Sequence, residues 1–86
     1  MPRISEFYGI VIYMYHRDHE PAHVHAWYGE YQLVIGLDPI QILGGRLPTR
    51  ARNLVLEWAS LHQEELRMNW QRAQRHEPLD RVAPLD

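Results

Sequence analysis

Cysteine is missing from all 86 residues, so neither a disulfide framework nor a thiolate metal site can stabilise this short chain. Lysine is missing too: the nine basic residues are all arginine, against eleven acidic ones, for a formal charge of −2. A molecule of that balance does not attract nucleic acid or acidic membranes as a whole. No apolar run approaches the roughly 18 residues of a membrane span, and no charged leader, apolar stretch and cleavage site open the chain. The expectation is a cytoplasmic protein that does not enter membranes. No nucleophile elbow, phosphate-cradling glycine loop or dinucleotide fingerprint is present. With 45% apolar residues and too few positions for two cores, the chain should form one domain that rests on its core, a metal or a partner.

What is present begins with strand signals. Tyr8 to Tyr15 is an aromatic, β-branched run that reads as a mostly buried strand. After a polar connection, His16 to Ala22, the runs His23 to Tyr28 and Tyr31 to Leu37 flank Gly29-Glu30, whose leading glycine fits a two-residue type II′ hairpin. That turn pairs Tyr28 with Tyr31, Ala26 with Leu33 and Val24 with Ile35 on one apolar face. It sets Trp27, His25 and His23 opposite Gln32, Val34 and Gly36 on the other. Asp38-Pro39 marks a turn, Ile40 to Leu43 one short further strand, and Gly44-Gly45 the end of the β region.

From Pro48 the period changes, and apolar residues recur every three or four positions to Ala73, predicting a helix to about Arg75. Continuous, it would be about 40 Å long, more than so small a globule covers, so it should protrude or break. Ser60 and Gln63 resemble a capping box that would start a second helix. The apolar arc nevertheless carries through without a phase change, which favours one long helix, straight or kinked. The predicted architecture is α+β: an antiparallel three- or four-stranded sheet packed against that helix, one domain over residues 1–76 and an extended tail over 77–86.

Four of the six histidines, His16, His19, His23 and His25, fall within ten residues. Strand geometry puts His23 and His25 on one face about 6 to 7 Å apart, a spacing from which two imidazoles converge on one ion. His19 supplies a third nitrogen if the connection folds back, giving a predicted divalent-metal site of His19, His23 and His25, with zinc, nickel or copper suited to imidazole. Asp18, Glu20 and Gln32 are placed to orient the ring nitrogens from outside the ligand set. Two readings stay open beside this one. The histidines are simply solvated groups near a hairpin, or His23 and His25 act as general base and acid of a small ribonuclease, with Arg17 at a phosphate and Trp27 stacking a base.

Arg46, Arg50 and Arg52 stand near the positive end of the predicted helix, where an anion or acidic partner would offset their mutual field. Trp27 and Trp70 are read with them as partner-binding positions, since tryptophan anchors interfaces.

Nearly the whole chain resembles the bacterial family called domain of unknown function 4160. The likeness is carried by Met-Pro-Arg-Ile-Ser at residues 1–5, the strand Gly9 to Tyr15, the run His19 to Glu30, and Leu54 to Leu66 with Trp58 and Trp70. Ala22 and Trp27 depart from the proline and arginine common at those places. The resemblance implies a gene context like that of a toxin–antitoxin pair, and so a partner: another small protein from the same operon, or a second copy of the chain. The expected function is a protein-interaction module carrying a histidine metal site; the alternative is a small metal-dependent hydrolase or ribonuclease using the same histidines.

Overall fold

The computed structural model describes residues 3–86; Met1 and Pro2, included in the predicted 1–76 unit and in the family likeness, lie outside the described residues. The chain is α+β. Five antiparallel strands, β1 (Arg3–Phe7), β2 (Ile10–Tyr13), β3 (His23–Tyr28), β4 (Tyr31–Leu37) and β5 (Ile40–Arg46), form one sheet in sequence order. Two helices, α1 (Thr49–Leu61) and α2 (Gln63–Gln74), follow.

The β3–β4 hairpin has the register that alternation dictates, with His23 opposite Gly36, His25 opposite Val34 and Trp27 opposite Gln32. Gly29 takes φ +59° while Glu30 stays out of the left-handed region, as a type II′ turn requires. Ile10, Ile12, Val24, Ala26, Leu33 and Ile35 make the apolar face of the sheet, and α1 and α2 bury it with Val55, Trp58, Ala59, Leu66 and Ala73. On the other face Tyr13, His25, Trp27 and Val34 are only half-buried.

Three expectations are corrected. The sheet has five strands, not three or four: β1 was hidden because Tyr8, a residue that rarely adopts φ +53°, forms the β1–β2 turn with Gly9. The β region does not end at Gly44-Gly45. β5 continues to Arg46 through a bulge at Leu43, and Gly45 takes φ +74° so close to the Gln32 carbonyl that a Cβ would collide with it. The helix is two helices, because at His62 the backbone departs to φ −116°, ψ 23°. The greatest extent of the molecule is 34 Å, less than an unbroken helix would need. Ser60 does not cap α2; its hydroxyl donates back to the Leu56 carbonyl (2.9 Å), a bond that bends helices. The apolar phase survives because the Leu66 N–H still reaches the His62 carbonyl (3.0 Å).

Residues 77–86 lie along the outside of β1 and the helices. The Val82 N–H donates to Ile4 O (2.8 Å), Trp58 Nε1–H to Ala83 O (2.8 Å), and Val82 is buried. Among the described residues no helix is long and apolar enough to cross a membrane.

Candidate functional site

The connection from Tyr15 to Ala22 turns back over the start of β3. Arg17 enters the left-handed region at φ +55°, and its N–H donates to Ala73 O (3.2 Å). Gln74 Nε2 donates to Asp18 O (3.2 Å), so the end of α2 fixes the backbone that carries Asp18. The carboxylate is thereby aimed at β3, where Oδ2 lies 2.9 Å from His23 Nε2 and 3.4 Å from His25 Nε2. Asp18, read from sequence as a supporting residue, stands at the centre of the cluster. Its signal was the spacing Asp-x4-His-x-His, a carboxylate one short loop ahead of two same-face imidazoles.

Each imidazole is oriented from behind. His23 is 4% exposed, its ring covered by Trp70 at 5.1 Å between centroids, and its Nδ1–H donates to the Pro21 carbonyl (2.6 Å). A neutral His23 then presents the Nε2 lone pair to a carboxylate oxygen. Two acceptors facing each other at this range need a positive charge between them, a proton or a metal ion. His25 meets the Gln32 side-chain amide at Nδ1 (3.0 Å) and the edge of Tyr15 at 4.7 Å. With the amide nitrogen toward Nδ1, His25 Nε2–H donates to Asp18; with the amide turned over, Nδ1–H donates to Gln32 and Nε2 is free to ligate.

Electrostatics follow the geometry. Burial pushes the Asp18 carboxyl up, but the His19 N–H and the imidazoles of His25 and His23 outweigh it and hold it below its ordinary 3.8. Burial pushes His25 below its ordinary 6.5, and neighbouring His23 adds to this, against the pull of the Asp18 hydrogen bond.

Two of the three spacings are close to those around a tetrahedral ion. Ligand atoms about 2.0 to 2.1 Å from a metal are about 3.3 Å apart along a tetrahedral edge, against the 2.9 and 3.4 Å seen here. Asp18, His23 and His25 each offer one ligand atom, all within 4.8 Å of one another.

The remaining predicted residues are scattered. His19 sits on the other carboxylate oxygen, with Nδ1 3.0 Å from Asp18 Oδ1 and a ring 86% exposed. Glu20 makes no hydrogen bond to a histidine among the described residues and faces the groove that holds Arg67 and Trp70. Trp27 is on the open face, at the far end of β3 from the cluster. Trp70, expected to face a partner, is buried against His23 because α2 turns that arc inward. Arg46 lies over the Tyr31 ring (5.5 Å), Arg52 donates to Asn53 (3.4 Å) and Arg50 flanks a cleft with Tyr8 and Tyr28.

The family described as Domain of unknown function (DUF4160) matches residues 9–71, most of the chain. The chain belongs to this family. No curated protein and no solved structure matches this DUF4160 chain.

Proposed function

We propose that this DUF4160 chain is an interaction module that binds one divalent metal ion through Asp18, His23 and His25. The observation that carries the reading is Asp18 Oδ2 within reach of two imidazole Nε2 atoms while the Nδ1–H of His23 is held by a backbone carbonyl. This is the arrangement by which proteins set the tautomer and direction of a ligating histidine. Zinc, nickel and copper all suit two imidazoles and a carboxylate. The interaction role draws on the sheet face away from the core, where Val11, Tyr13, Trp27 and Val34 are only half-buried. Its partner is a small protein encoded in the same toxin–antitoxin-like operon, or a second copy of the chain.

A second reading, a small metal-dependent hydrolase or ribonuclease, draws on the shallow pocket beside His23, lined by Pro21, Val34, Leu43 and Gly44. Three protein ligands and an open fourth position there would admit a metal-bound water.

Tag-free protein analysed for metal content and titrated with zinc and nickel tests the main reading. One ion per chain, lost when His23 and His25 are both replaced by alanine, is the expected result. An ion-free protein that takes up neither metal overturns it. Co-purification with the neighbouring gene product, or a dimer in solution, tests the partner; a monodisperse monomer with no companion counts against it.

A further inference from the structure

Resting on the metal reading above, we infer that His19 is the fourth ligand, swung in from Asp18 when the ion binds, so that the metal latches the His16–Ala22 connection onto β3. Two imidazoles that share a tetrahedral ion have ring centres about 5.2 Å apart, given nitrogen–metal distances of about 2.0 to 2.1 Å and roughly 1.2 Å from nitrogen to ring centre. His23 and His25 are 5.0 Å apart, and His19 is already 5.5 Å from His23. His19 therefore has the separation of a co-ligand; what it lacks is direction.

That direction is free to change. The His19 ring is 86% exposed, and its one polar side-chain contact among the described residues is with Asp18 Oδ1. Its backbone N–H donates to the same oxygen (2.9 Å), which keeps the residue beside the site whichever way the ring turns. An ion on Asp18 Oδ2 withdraws charge from the carboxylate and weakens the His19 contact with Oδ1. Rotation of a surface side chain then completes three imidazoles and one carboxylate without moving the sheet.

A site closed by four protein groups leaves no ligand position for an attacking water, so it fastens rather than hydrolyses. What it fastens is the loop holding Arg17 and Glu20, both exposed. The ion thereby sets the shape of the surface next to the open sheet face.

The test compares wild type with His19→Ala, an exposed position whose replacement leaves the fold intact. Zinc-edge X-ray absorption is expected to count three imidazoles in wild type and two in the variant. Zinc affinity is expected to fall at least about 10- to 100-fold, the loss typical of removing even a group that only orients a ligand. Trypsin cleavage after Arg17 is expected to slow with zinc in wild type but not in His19→Ala. Two imidazoles in wild type with equal affinity in the variant overturns the latch and leaves the three-ligand site standing. No zinc uptake by wild type overturns both.

Discussion

Asp18 stands 2.9 Å from Nε2 of His23, a ring whose other nitrogen is already tied to the Pro21 carbonyl. On the proposed reading the pair shares a metal ion, and Asp18→Asn separates that role from a purely structural one. The amide keeps the size of the carboxylate and can donate to the Nε2 lone pair, so metal-free stability should change by less than about 1 kcal/mol. Zinc affinity should fall by roughly 100-fold or more, since an amide oxygen carries no charge to offset the ion. Calorimetric titration and urea unfolding read the two effects; unchanged zinc affinity would remove Asp18 from the ligand set.

Stability of the metal-free protein should depend on pH through His25. Its folded value lies below the ordinary 6.5, so the unfolded chain takes up the proton first. The contribution is fully present above about pH 6.5 and declines as pH falls below it, through the lowered folded value. Asp18, also lowered, adds a second loss that begins only below about pH 3.8. Urea midpoints in chelator from pH 7.5 to 5 should therefore fall, and His25→Gln should flatten part of that slope. An identical slope in the variant would assign the dependence to other histidines.

The β3–β4 hairpin was legible because its turn and its alternation agree, and a slip of one residue would have exposed Val24 and Ile35 to water. β1 was not, since its turn uses Tyr8 where a reader looks for asparagine or glycine. The two histidines on one face were legible; the position of Asp18 was not. It depends on Arg17 reaching Ala73 and on Gln74 reaching the Asp18 carbonyl, contacts 56 residues apart in the chain. Trp70 was misplaced for the same reason: periodicity gives the arc it lies on, and only the bend at His62 decides what that arc meets.

Residues 77–86 should behave as part of the folded unit. Asn69, 1% exposed, brackets the backbone of Asp80, with Nδ2 donating to its carbonyl (2.8 Å) and Oδ1 accepting from its N–H (3.0 Å). Asn69→Leu leaves both backbone groups without that partner and should cost about 2 to 3 kcal/mol. Deleting 77–86 should cost more, because Trp58 Nε1 loses Ala83 and the apolar contacts of Val82 are lost as well. Urea unfolding measures both; wild-type midpoints for the deletion would show the tail to be dispensable.

Adjacent glycines in β5 should respond unequally to alanine. At Gly44 an added Cβ meets nothing within 4 Å, and Gly44→Ala should stay within about 0.5 kcal/mol of wild type. At Gly45 the left-handed φ of +74° and the collision with the Gln32 carbonyl act together, and Gly45→Ala should cost about 2 to 4 kcal/mol. The damage should reach the histidines. Relieving the collision moves the Gln32 backbone, and with it the amide that orients His25 through Nδ1, so zinc affinity should drop about tenfold in Gly45→Ala and hold in Gly44→Ala. Equal zinc binding by both variants, with Gly45→Ala clearly destabilised, would show that Gln32 does not position His25 for the ion.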